Sequence, residues 1–247
     1  MKKTYLFFAL LNVMAMGLKA QINEFTLPSF EKVIVSPHIE LTLVQGDKES
    51  VTIDNAKLPQ EKIHMVVEGN TLRVYLDGAK VVTKAERVST DHWQGKLPLY
   101  QGTMATLTIT YKTLKNLSVR GEEIVRCKSP LQQEAFKLTM YGEAKVYLNA
   151  VDLDDLVVAI YGESYLELQT GRVHRQVYRA YGESEVNTEA IANSETKITA
   201  YGESNFRVNV EDRLKVTCYG ETTVTYKGGA QLQRGLVIGE AEIVKIG

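Results

Sequence analysis

Seven glycines standing at a nearly constant interval constrain this chain more than any other feature. They occupy positions 121, 142, 162, 182, 202, 220 and 239, so the steps between them are 21, 20, 20, 20, 18 and 19 residues. Five sit in the same tripeptide: Tyr141-Gly142-Glu143, Tyr161-Gly162-Glu163, Tyr181-Gly182-Glu183, Tyr201-Gly202-Glu203 and Tyr219-Gly220-Glu221. Degenerate copies stand at Arg120-Gly121-Glu122 and Ile238-Gly239-Glu240. A fixed period of this length marks a repeat architecture, in which each unit buries its apolar face only against its neighbours.

The flanks of each glycine alternate as strands do. Leu138 and Met140 lead to Ala144, Val146 and Leu148 in one copy, and Val158 and Ile160 lead to Ser164, Leu166 and Leu168 in the next. A period of two means one buried face and one exposed face. Some 20 residues cannot hold a βαβ unit, whose crossover takes a dozen or more residues besides its strands, but they complete one turn of a coil. The expected fold is therefore all-β: a single-stranded, right-handed parallel β-helix, or solenoid, with coils of about 20 residues. Proline usage agrees, since Pro28, Pro37, Pro59, Pro98 and Pro130 leave no proline after 130 to interrupt a ladder. A barrel or sandwich is the rival reading of regularly spaced strands, but it leaves the identical corners unexplained.

Boundaries follow from the same pattern. Lys2 and Lys3, an apolar run from Tyr5 to Leu18, and Lys19-Ala20 before Gln21 read as a signal peptide over residues 1–20, too short for a stable span. Residues 21–247 then form one β-helix domain, with irregular coils over 21–115 and glycine-centred repeats over 116–247. In the irregular part Glu31 to Ser36, Ile39 to Val44, Ser50 to Asp54, Ile63 to Val67 and Thr71 to Leu76 read as strands, with turns at Gln45-Gly46-Asp47 and Glu68-Gly69-Asn70. Residues 84–104 lack a pattern and are expected as an inserted loop.

Charge and cysteine usage narrow the function. With the first 20 residues removed, 26 basic residues face 30 acidic ones, a net charge of −4, which argues against a nucleic-acid partner. The expected protein is exported, to the periplasm, the outer-membrane surface or the exterior, and is not an integral membrane protein after cleavage. Cys127 and Cys218 form no disulfide framework, and their pairing is left open. No cofactor or metal is expected: the four histidines are scattered, and no nucleophile elbow, P-loop or zinc-hydrolase motif occurs.

The run Phe30-Glu31-Lys32-Val33-Ile34-Val35, the stretch Ile39 to Asp47, Val51-Thr52-Ile53, and Gly69-Asn70-Thr71-Leu72 with Val74 resemble the bacterial putative auto-transporter adhesin, head GIN domain family. The glycine-centred rungs match it too, so the resemblance covers essentially the whole mature chain. It implies an all-β, parallel β-helix-like domain, usually exported to the envelope, with an adhesin label inherited from architecture and no catalytic residues to map. The chain departs from the family where Pro37-His38-Ile39-Glu40 replaces a Gly-Ile-Asn stretch and where Tyr-Gly-Glu-Ser replaces small Ser-Gly corners. A ligand tied to those positions does not carry over.

Stacked corners generate two ladders, one of Tyr141, Tyr161, Tyr181, Tyr201 and Tyr219, the other of Glu122, Glu143, Glu163, Glu183, Glu203, Glu221 and Glu240. By parity both face outward. The tyrosines either stabilise the sheet by stacking or form an aromatic strip for sugar rings or a partner protein, with Ser164, Ser184, Ser204 and Thr222 adding hydroxyls. The glutamates repel by roughly 0.9 kcal/mol per neighbouring pair at water's dielectric, so backbone donors, lysines such as Lys145 or raised carboxylate pKa values are expected to offset them. Asp152, Asp154 and Asp155 read as a solvated turn between strands, and Trp93 beside His92 as a binding loop or a packing anchor. The reading that results is a non-enzymatic envelope module, adhesin-like or structural, with a glycan or an envelope protein as partner. A polysaccharide lyase or hydrolase on the coil's long face is the alternative, and a homo-oligomer through the edge of the last coil, ending at Ile243-Val244-Lys245-Ile246-Gly247, is a third option.

Overall fold

Apolar residues at every second position give each strand one face that must leave water, and in this chain those faces are buried by strands a coil away. The structure, a computed structural model, describes residues 23–90 and 93–247. The signal peptide over residues 1–20 and His92 lie outside the described residues, as does the side chain of Trp93.

Sixteen strands and one 3₁₀ turn, Gln60–Lys62, make up the described residues, with no α-helix among them. The repeats run from β10 (Asn116–Gly121) and β11 (Ile124–Cys127) through β12 (Leu131–Gly142), β13 (Lys145–Gly162), β14 (Tyr165–Tyr181) and β15 (Ser184–Lys227) to β16 (Gln231–Lys245). Every pairing among them is parallel, and the register advances by one repeat: Gly121 lies beside Gly142, Gly142 beside Gly162, and Gly220 beside Gly239. This is the expected solenoid of stacked parallel coils.

Columns of inward side chains run up the stack. One passes from Leu72 through Val33, Leu117, Leu138, Val158 and Tyr178 to Ile198, all essentially inaccessible to solvent. Cys127 sits in another, between Leu43 and Leu148. Both cysteines are free and buried, packing as small hydrophobes in different coils.

The irregular half departs from the simple stacking order. β2 (Lys32–Val35) and β3 (Ile39–Gln45) form a coil directly against β10 and β11, more than 80 residues later in the chain. On the other side of that coil lie β6 (Thr71–Leu76) and β9 (Ala105–Tyr111). The first coil in sequence is thus second in space: the chain steps outward to build the end of the stack, then returns past its own start. The outermost pairings are antiparallel, β9 with β4 (Ser50–Ala56), β4 with β1 (Asn23–Thr26), and β6 with β5 (Ile63–Glu68). A coil expected to be parallel throughout is therefore closed at this end by antiparallel strands, because the Glu68-Gly69-Asn70 turn is too short for a crossover and folds β5 back on β6.

Residues 84–104 are an insertion, but not the expected loop. β7 (Ala85–Thr90) and β8 (Trp93–Pro98) pair antiparallel as a separate two-stranded hairpin. It is fastened to the solenoid at His38, whose Nε2 lies 2.6 Å from Thr83 Oγ1 and whose Nδ1 lies 2.8 Å from the Gly102 carbonyl. His38 has a φ of 70°, so the Pro37-His38 corner takes by backbone strain the bend that later coils make at glycine.

Candidate functional site

At each corner the chain turns at a glycine with φ between 92° and 131° in the five Tyr-Gly-Glu copies. The glycines stack so closely that a side chain would strike the carbonyl of the coil before: a Cβ on Gly162 would lie 2.5 Å from Gly142 O. That carbonyl is well used. It accepts the Glu163 N–H at 2.9 Å and the Ser164 hydroxyl at 2.9 Å. Ser184 and Ser204 donate in the same way to Gly162 O and Gly182 O, at 3.4 and 3.3 Å. Ser164, Ser184, Ser204 and Thr222 are all buried. They do not add hydroxyls to an outer strip, as expected from the sequence; they hold the inward parity of Ile160 and Leu166, which runs unbroken across the glycine.

The tyrosines form a continuous stack. Ring centroids are 5.1, 4.9, 4.9 and 4.6 Å apart from Tyr141 to Tyr219, with interplanar angles of 11°, 2°, 4° and 4°. The Arg120 guanidinium, 4.6 Å from the Tyr141 ring centre, closes one end, and Ile238 stands beside Tyr219 at the other. Tyr161 and Tyr201 are 42% and 39% exposed, the other three less so. Because each inner ring has both faces covered by its neighbours, what reaches solvent is a row of ring edges and hydroxyls. The strip cannot stack on sugar rings.

Glu143, Glu163, Glu183, Glu203 and Glu221 are all exposed and run beside the tyrosines at one coil spacing. Among the described residues neither a lysine partner nor, at Glu143 and Glu163, a free corner N–H offsets their repulsion. The Glu143 and Glu163 N–H groups are committed to glycine carbonyls, and among the described residues no ion pair within 4 Å includes any of the five. Glu163, Glu183 and Glu203 instead line an open groove of about 510 Å³, with Lys145, Tyr147 and Tyr165 on its far side. Lys145 was expected beside the glutamate row, whereas Tyr147 and Tyr165 were not singled out from the sequence, although their outward parity five and three residues after a glycine would have placed them there. Burial, then the hydrogen bond its hydroxyl donates to Glu167 at 2.7 Å, pushes the Tyr165 phenol up to about 12.

The acidic cluster is also placed differently from the expectation. Asp152, Asp154 and Asp155 lie within the continuous strand β13 rather than in a turn. Parallel stacking sets Arg172 beside Asp152, which it meets with two hydrogen bonds of 2.7 and 3.1 Å, and Arg175 beside Asp155 at 2.6 Å. The second row continues through Glu195 to Arg213, so its charges alternate from coil to coil. The arginine hydrogen bonds hold Asp152, Asp155 and Glu195 below the usual carboxylate range. Among the described residues this row is ionically satisfied and the glutamate row is not.

No group of three or more metal-ligating side chains occurs among the described residues, and no helix there is long and apolar enough to cross a membrane. No curated protein sequence matches the chain. Solved structures do match it in fold. A putative adhesin from Bacteroides fragilis superposes with a TM-score of 0.73 at 18% identity, over 90% of this chain and 95% of that one. A putative lipid binding protein from Parabacteroides distasonis gives 0.64 at 17% identity, over 91% and 95% of the two chains. A putative adhesin from Parabacteroides merdae gives 0.62 at 18% identity, with the same coverage. At these identities the likeness speaks to the fold. The sequence profile of one family matches residues 29–230, nearly all of the described solenoid, and the chain belongs to that family, putative auto-transporter adhesin, head GIN domain.

Proposed function

We propose that this chain is an exported, non-enzymatic, adhesin-like module of the cell envelope that binds a glycan along the corner face, where the glutamate and tyrosine rows run side by side. The observation that carries the reading is the row of exposed carboxylates with no ionic partner within 4 Å among the described residues. Neighbours one coil apart repel by roughly 0.9 kcal/mol even at water's dielectric. The solenoid does not require them, since glycine, serine and the backbone hold each corner. A polyhydroxylated ligand suits the surface: carboxylates accept hydrogen bonds from sugar hydroxyls, and the phenols, whose ring faces are covered, contribute only their O–H groups.

The test is a glycan array probed with the purified protein, with a Glu163→Gln, Glu183→Gln, Glu203→Gln variant, and with a Tyr161→Phe, Tyr181→Phe, Tyr201→Phe variant. These keep shape and stacking while removing charge or hydroxyls. Binding by the wild type that falls at least about tenfold in the Gln variant supports the reading; each tenfold is about 1.4 kcal/mol. A wild type that retains no glycan sinks it and turns attention to a protein with a basic face.

The convergence of Glu163, Glu183, Lys145 and Tyr165 in one groove is what a lyase on a β-helix would use, so that reading has an observation behind it. Against it stands the raised Tyr165 phenol, which is a scarce phenolate at neutral pH and hence a poor base. Unsaturated products or new reducing ends from common envelope polysaccharides would overturn the non-enzymatic assignment.

A further inference from the structure

The two ends of the solenoid are open and unlike. At the C-terminal end β16 is paired on one side only, with β15. Of the large hydrophobic residues left exposed in the described chain, Leu236, Val237, Ile238 and Val244 are all on this strand, and the first three are consecutive. Register places Arg234 against Val216 and Lys245 against Tyr226, so two cations occupy positions that in the coil below belong to the core. Charges at inward positions deter an edge from pairing with its own kind. In a two-fold, end-facing pair both cations would meet the same cations of a copy in the shared core, which opposes that arrangement.

At the other end β1 and β5 are the outermost strands of the sheet, each also paired on one side. Between them runs a groove of about 610 Å³ with Phe25, Leu27, Ile63 and Met65 along it and Glu61 at its rim. Glu61 is exposed and, among the described residues, has no ion-pair partner within 4 Å. One end thus offers an apolar ridge with two cations, the other an apolar furrow with a carboxylate, and both leave strand N–H and C=O groups without ladder partners.

We propose that copies of this chain associate end to end, the Leu236-Val237-Ile238 ridge of one copy seating in the β1/β5 groove of the next, with Arg234 and Lys245 facing Glu61. The contact is heterologous, so it does not close on itself and extends into a filament. It leaves the tyrosine and glutamate rows between residues 141 and 221 uncovered, and stands independently of the glycan reading.

A single coil end is a small contact of the weakly associating class, so sedimentation velocity of the purified protein should be compared between about 10 µM and about 1 mM. The expected result is a weight-average mass that rises through dimer without levelling there. Ile238→Glu at one end, and Glu61→Lys or Met65→Glu at the other, should each hold the protein monomeric; Ile238 and Glu61 are exposed, and those two variants keep the fold. An equimolar mixture of the Ile238→Glu and Glu61→Lys proteins restores one intact interface and should stop at a heterodimer. A wild type that stays monomeric at about 1 mM, a mass that levels at two, or association insensitive to Glu61→Lys and Met65→Glu would each overturn the proposal.

Discussion

The carbonyl of Gly142 lies where the Cβ of any larger residue at 162 would have to go, 2.5 Å from its ideal position. Gly162 also holds a φ of 125°, a backbone state open to glycine and strained for other residues. Gly162→Ala should therefore cost about 2–4 kcal/mol, from strain and from displacement of the stacked coil. Gly69 is the control, since its φ of 58° meets open space. Gly69→Asn should cost no more than roughly 1 kcal/mol. Equal losses in urea-induced unfolding would show that close approach between coils is not what holds the corner to glycine.

The tyrosine stack makes a second separable claim. Tyr181 touches a ring on each side, at 4.9 Å from both Tyr161 and Tyr201. Aromatic pairs add about 0.5–1.5 kcal/mol beyond burial, so Tyr181→Ala should cost about 1–3 kcal/mol, whereas Tyr181→Phe keeps both stacks and should stay within about 0.5 kcal/mol. Near-ultraviolet circular dichroism should lose its tyrosine signal in the Ala variant and keep it in the Phe variant. A Phe variant as damaged as the Ala variant would mean that the hydroxyl, not the stack, carries the stability.

How much of this was legible in the sequence depends on whether the determinant was local. The glycine spacing and the alternation around Leu138 and Val146 are periodic, and they lead directly to the parallel coils and to both ladders. The burial of Ser164 follows from the same parity, which runs unbroken from Ile160 across Gly162 to Leu166 and assigns its hydroxyl to the interior. The pairing of Asp152 with Arg172 needs the register, which only the stacked fold supplies. The placing of β2 against β10 was hidden for another reason. Residues 46–115 carry the chain away and back, and neither Val33 nor Leu117 holds a mark of the partner it meets. Trp93 and the signal segment remain expectations from sequence.

The alternating row of Asp155, Arg175, Glu195 and Arg213 predicts how stability responds to acid. Hydrogen bonds from the arginines lower the carboxyl pKa values in the folded state. A group with a depressed folded pKa contributes stability above its unfolded pKa and loses that contribution as pH falls through the folded value. The melting temperature should therefore decline as pH drops from about 5 to about 3, and the decline should be shallower in Arg175→Met, which begins from a lower neutral value. These groups are at the surface, so salt should blunt the difference between the two proteins. Parallel pH profiles for the wild type and Arg175→Met would remove the row from the acid response.

Within the core, Gln176 is fully buried and its amide nitrogen has no hydrogen-bond partner among the described residues, while its oxygen accepts from the Tyr178 hydroxyl at 2.8 Å and from Thr188 at 3.4 Å. Its column carries Phe136 and Leu156 before it and Thr196 after it, so a polar layer interrupts an apolar stack. Removing one partner strands the other, whereas removing both relieves the unmatched donor as well. Gln176→Leu alone should therefore destabilise by about 1–3 kcal/mol, because the Tyr178 hydroxyl loses its acceptor in a dry interior. Joined to Tyr178→Phe, it should recover most of that loss or exceed the wild type. A double variant less stable than Gln176→Leu, measured in the same urea titration, would mean that the buried polar pair contributes net stability to its coil.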